Sequence, residues 1–123
     1  MRRVATILGL VALISACQPA TDEALFELAD GSISGPSRVV SDVNTFTASN
    51  TGNLAHTMVV TANDGRVIAA TDLIQPGETA ALEVDLDPGM FQVSCRIVAQ
   101  GDDGELMDHY ELGMRLSLDV VES

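Results

Sequence analysis

Apolar and polar residues alternate in short runs along most of the chain, and turn-forming residues separate the runs. His56, Met58, Val60 and Ala62 alternate with Thr57, Val59 and Thr61, and Asn63-Asp64-Gly65 then turns the chain. Ala80, Leu82, Val84 and Leu86 alternate with Thr79, Ala81, Glu83 and Asp85, between Pro76-Gly77 and Pro88-Gly89. Phe91, Val93 and Cys95 share one face of the next run, and Met114, Leu116, Leu118 and Val120 share one face of the last. Val43 to Ala48 and Leu25 to Ala29 predict two further strands. No stretch beyond residue 24 sustains a helical period, and no internal repeat is present. Short strands at regular spacing predict an all-β sandwich.

The beginning of the chain reads differently. Met1-Arg2-Arg3 is followed by eleven apolar or small residues, Val4 to Ile14, and then by Ser15-Ala16-Cys17. A basic start, a short apolar stretch and small residues at a cleavage point predict a secretory signal peptide over residues 1–16. The apolar stretch is too short for a bilayer span, which needs about 20 residues. Leu13-Ile14-Ser15-Ala16-Cys17 resembles the lipobox of bacterial lipoproteins, and the resemblance implies that Cys17 becomes an acylated first residue. Several acyl chains would hold the protein to a membrane of the cell envelope, where one chain binds only marginally. Residues 18–24 then form a polar tether, and residues 25–123 form one domain with a modest core.

Charge narrows the range of partners. All eighteen Asp and Glu lie beyond residue 16, against Arg38, Arg66, Arg96 and Arg115, a side-chain balance of 4 − 18 = −14. Such a surface repels phosphate backbones, so nucleic acid is not an expected partner, whereas a basic protein would be steered toward it. With Cys17 acylated, Cys95 has no partner for an internal disulfide. A lone thiol in an oxidising compartment calls for burial or a metal.

The remaining candidate chemistry is concentrated in four residues. The chain has two histidines; with Cys95 and Met114 they run in the order His56, Cys95, His109, Met114. Two imidazoles, one thiolate and a weak thioether are the donor set of a type 1 copper site. Period-two geometry aims Cys95, Met114 and His56 inward at strand ends, with His109 in the loop between two of those strands. The expected result is one metal site at one pole of the sandwich. Met58, Phe91 and Leu112 are expected to shield it from water, with His109 at its solvent edge. Singly, Cys95 reads as a small buried hydrophobe, His56 as a satisfied histidine and Met114 as core filling; the order and the shared pole favour copper.

These segments carry a resemblance to a known family. Gly52-Asn53-Leu54-Ala55-His56-Thr57-Met58-Val59-Val60 resembles the first-ligand segment of cupredoxins, the blue copper proteins. Pro88-Gly89-Met90-Phe91-Gln92-Val93-Ser94-Cys95 resembles their cysteine strand, and His109-Tyr110-Glu111-Leu112-Gly113-Met114 resembles the closing His-x-x-x-Gly-Met motif. The resemblance covers most of residues 25–121. It implies a Greek-key β-sandwich with one copper ion held by His56, Cys95 and His109 in a plane and by Met114 axially. Two departures stand out. Thirteen residues, Arg96 to Asp108, separate the cysteine from the second histidine, and their middle, Gly101 to Glu105, reads as a solvated turn. Thr57 also follows the first histidine where many relatives carry Asn.

Three classes of function follow: a membrane-tethered carrier of single electrons between redox proteins, an envelope protein that holds or delivers copper, and a metal-free lipoprotein interaction module. No open ligand position is expected, so neither an enzyme nor a small-molecule substrate is. A zinc hydrolase would need an acid–base residue beside an open position, and nothing marks one.

Overall fold

The structure, a computed structural model, describes residues 20–123. The signal peptide and Cys17 lie outside the described residues. Eleven strands follow one another: β1 (Leu25–Ala29), β2 (Ser32–Ser34), β3 (Arg38–Val40), β4 (Thr45–Asn50), β5 (Val59–Ala62) and β6 (Val67–Ala70). Then come β7 (Thr79–Glu83), β8 (Gly89–Ser94), β9 (Val98–Gln100), β10 (Leu106–Asp108) and β11 (Arg115–Val121). No helix occurs among the described residues.

One sheet has the order β2-β1-β4-β7 and the other β3-β11-β8-β5-β6, with β9 and β10 paired apart as a hairpin. β1 runs parallel to β4, and β3 parallel to β11; the other pairs are antiparallel. The chain passes repeatedly from one sheet to the other, as a Greek-key sandwich requires. The expected all-β sandwich is therefore what the sequence forms.

Alternation explains the core. Phe26 and Leu28 of β1 and Phe46 and Ala48 of β4 face inward from one sheet. Val39, Met58, Val60, Val93, Leu118 and Val120 meet them from the other. The Phe26 and Phe46 rings pack tilted, with centroids 5.3 Å apart, a favourable aromatic arrangement.

Pure alternation fails at one point. The β5–β6 register shifts between Val60 and Thr61, so Thr61 is buried beside Val60 while Ala62 is only half-buried. Such a bulge bends its strand and re-aims side chains. The expected solvated turn at Gly101–Glu105 is present and exposed, but the residues around it pair, Leu106 with Gln100 and Asp108 with Val98. The excursion between Cys95 and His109 is thus an ordered hairpin.

Candidate metal centre

All four candidate residues sit at strand ends on one pole. Cys95 directly follows β8, and its N–H donates to the Met114 carbonyl at 3.0 Å, extending the β8–β11 ladder by one pair. The ladder therefore sets Cys95 opposite Met114, and both are fully buried. His56 precedes β5 and is fixed by a two-bond bridge: its N–H donates to Ile74 at 3.0 Å, and Ile74 donates back at 2.7 Å. His109 follows β10; its N–H donates to Ile97 at 2.9 Å, and its carbonyl accepts from Met114 N–H at 3.0 Å. The β9–β10 hairpin thus ends directly on the second histidine.

The 110–113 loop that joins His109 to Met114 is clamped from two sides. The Arg96 guanidinium lies 4.1 Å and that of Arg115 4.8 Å from the centre of the Tyr110 ring. Gln92 donates to the Tyr110 hydroxyl at 3.1 Å, and Arg115 to its carbonyl at 2.9 Å. Gly113 closes the loop with φ +117°, and a Cβ there would stand 2.8 Å from the Gly31 carbonyl oxygen. Only glycine fits both constraints.

Three donor atoms converge in the interior. His56 Nδ1 and His109 Nδ1 are 3.2 Å apart, and Cys95 Sγ lies 3.9 Å from the first and 3.6 Å from the second. Bonds of about 2.0 Å to imidazole and about 2.3 Å to thiolate, set at trigonal angles, would place two nitrogens about 3.5 Å apart and nitrogen and sulfur about 3.7 Å apart. The observed triangle has that size. Met114 completes the expected set by position, buried across the ladder from Cys95.

The two rings have unlike surroundings. Asp30 Oδ1 lies 2.9 Å from His56 Nε2. A carboxylate only accepts, so the Nε2 proton faces it and the Nδ1 lone pair faces the other donors. His109 Nε2 is buried without a hydrogen-bond partner. Burial chiefly, and then the neighbouring His56, push the His109 ring below its ordinary pKa, against the opposing charges of Asp30 and Asp108. The Asp30 carboxyl is held below its ordinary value, chiefly by the Asn53 N–H, with help from His56 and the Leu54 N–H against the effect of desolvation. The sulfur has its own donors, the Thr57 N–H at 3.4 Å and the Thr57 hydroxyl at 3.8 Å. Thr57 thus offers the sulfur both a backbone and a side-chain donor.

Two expectations are corrected. His109 is 3% exposed, hence buried and not at the solvent edge. Leu112 is 56% exposed and Phe91 only half-buried and four residues along β8 from Cys95, so of the expected shield only Met58 is fully enclosed. Two contributing residues carry no sequence signal, Asp30 and Asn50. The buried Asn50 amide donates to the carbonyls of Leu54 at 2.8 Å and Ile74 at 2.9 Å, and its oxygen accepts from Gly52 N–H at 2.9 Å. It ties the 51–55 loop to the segment that bridges His56. Both residues act across the fold, so no local pattern reveals them.

A β-sandwich with a buried His–Cys–His triangle at one pole defines a recognisable class. No known family pattern and no curated protein matches the chain by sequence. Among solved structures, the chain is similar to reduced auracyanin from Roseiflexus castenholzii, with TM-score 0.62 and 18% identity over 84% of this chain and 99% of that one. It is similar to an azurin (Az-iso2) from Methylomonas sp. strain J, with TM-score 0.59 and 18% identity over 84% of this chain and 100% of that one. A purple cupredoxin from Nitrosopumilus maritimus follows at TM-score 0.53 and 15% identity, covering 80% of this chain and 99% of that one. The chain has the cupredoxin fold.

Proposed function

We propose that the protein binds one copper ion through His56, Cys95, His109 and Met114 and carries single electrons between redox proteins of the cell envelope, tethered to a membrane by acylated Cys17. The observation that carries this reading is the buried triangle of two Nδ1 atoms and one thiol sulfur, spaced for a single ion. Copper held by such donors supplies a one-electron couple whose two states are nearly equally well accommodated. His56, Cys95 and His109 are supplied from rigid strand ends, so the donors are fixed before any ion arrives. Burial at 0%, 0% and 3% excludes water and substrate from them, which suits a carrier better than a catalyst. The Thr57 N–H donates to the sulfur, and buried Met114, opposite Cys95 in the ladder, would offer copper a soft, weak fourth donor.

The test is direct. Stoichiometric Cu(II) added to the full chain is expected to give an intense visible band of thiolate charge transfer. A colourless protein overturns the copper reading and leaves the metal-free interaction module. A coloured protein that holds copper tightly against a chelator yet exchanges no electrons with redox proteins speaks for copper holding or delivery over electron transfer.

Charge supports a basic partner. Asp102, Asp103 and Glu105 stand exposed at the turn of the β9–β10 hairpin, whose far end is bonded to His109. Asp102→Asn, Asp103→Asn and Glu105→Gln together leave the turn bonds to amide oxygens possible and remove three charges. Copper colour is expected to be unchanged. Electron transfer with a basic partner should slow about tenfold at low ionic strength and match wild type at about 1 M salt, where charges are screened beyond about 3 Å. Equal rates at low salt would make the turn a solubilising surface only.

A further inference from the structure

Asp30 lies at the β1–β2 turn, 26 positions before His56, and nothing in its sequence surroundings marks it. Its carboxylate is nevertheless held in one orientation by three donors. Oδ2 accepts from Asn53 N–H at 2.9 Å; Oδ1 accepts from Leu54 N–H at 3.2 Å and lies 2.9 Å from His56 Nε2. The His56 side chain is fully buried, whereas that of Asp30 is 34% exposed. A carboxylate at the rim thus backs an imidazole in the interior. The other imidazole is unlike it, because His109 Nε2 has no partner.

We propose that Asp30 is a positioning residue of the metal centre, which fixes His56 with Nδ1 free to bind and lowers the site's redox potential. The proposal rests on the copper reading. The first part follows from hydrogen-bond chemistry: neutral imidazole has one N–H, and a carboxylate can only accept it. His56 therefore presents the Nδ1 lone pair to the donor triangle and cannot turn its ring without breaking the 2.9 Å contact. The second part follows from charge. A carboxylate hydrogen-bonded to a ligating histidine raises the basicity of the ring, and its negative charge favours the more highly charged oxidised ion. His109 receives no such support, so the two nitrogen donors are unequal by construction. The loop carrying two of the three donors is built around the carboxylate: a Cβ on Gly52 would stand 2.2 Å from Asp30 Oδ1 and 2.9 Å from its Cγ. A side chain at position 52 would displace Asp30.

Asp30→Asn keeps the shape and a carbonyl oxygen but removes the charge; Asp30→Ala removes the contact; Gly52→Ala leaves Asp30 intact and moves it. The measurements, on the full chain with copper, are potential, copper affinity by chelator competition and visible spectrum, with circular dichroism as the check of fold. Asp30→Asn is expected to keep its colour with a higher potential. Asp30→Ala is expected to bind copper about 10- to 100-fold more weakly, and Gly52→Ala to shift the potential in the same direction as Asp30→Asn. A wild-type potential in Asp30→Asn together with wild-type affinity in Asp30→Ala overturns the proposal. If the wild-type protein takes no colour, the copper reading fails and the effect on potential falls with it. The positioning role is then decided by nitrogen-15 NMR of the metal-free protein. A His56 Nε2–H protected from exchange in wild type and exposed in Asp30→Ala supports it, and identical ring signals overturn it.

Discussion

Cys95→Ala should abolish the visible charge-transfer band while leaving the sandwich folded. Cys95 is the free cysteine among the described residues, fully buried, and its sulfur is the corner of the donor triangle that no other side chain can replace. Thiolate-to-metal charge transfer requires that sulfur, so two imidazoles and a thioether alone leave no intense colour. The fold has little reason to fail. Cys95 holds the ladder through its backbone N–H to Met114, which alanine keeps, and alanine fits wherever cysteine did. The local penalty is the half-buried Thr57 N–H, which loses its acceptor; a fully buried unpaired donor costs about 1–3 kcal/mol, and this partly solvated one costs less. Absorption and circular dichroism measured side by side check both halves. A variant that keeps the band would end the copper–thiolate assignment. A second readout is thermal: a ligand at a hundred times its dissociation constant stabilises the folded state by about 2.7 kcal/mol. Copper should therefore raise the melting temperature of the wild-type protein and leave that of Cys95→Ala nearly unmoved.

What the sequence reveals of this protein follows the length scale of each interaction. Strands with several alternating residues are legible: β1, β4, β7, β8 and β11 lie within a few residues of where the apolar pattern places them. The site's pole is legible for the same reason, because period two fixes which way a side chain at a strand end points. β2 and β3 have three residues each, too few to show a period, and are held by pairing with β1 and β11. The bulge at Val60–Thr61 reverses one side chain and has no mark in a Val-Val-Thr-Ala run. The burial of His109 depends on the hairpin and on the Tyr110 clamp between Arg96 and Arg115, contacts that form only when strands distant in sequence come together. Asp30 and Asn50 are hidden for the same reason. Their partners are backbone groups and a ring brought up by tertiary structure, and an Asp before a Gly reads locally only as a turn.

Phe46→Ala should have the opposite signature to Cys95→Ala, with colour kept and stability lost. Phe46 lies on β4, paired on one side with β1 and on the other with β7, and is fully buried against Phe26. Truncating a buried phenylalanine removes its transfer free energy and leaves a cavity, together about 3–5 kcal/mol. A domain of this kind has about 5–15 kcal/mol in total. The metal-free variant should accordingly melt more than about 10 °C lower, at about 4–8 °C per kcal/mol for a domain near 100 residues. The donor triangle, however, is supplied from just before β5 and from just after β8 and β10, none of them in the sheet that carries Phe46. Its spacing should survive in the folded fraction, with the same band position and a wild-type potential. Copper binds only that fraction, so adding it should recover part of the lost melting temperature. A denaturation series with and without copper checks this. A variant as stable as wild type would mean that the Phe26–Phe46 contact does not anchor the sandwich. A folded but colourless variant would mean that the sheet carrying β4 sets the spacing of the donors after all.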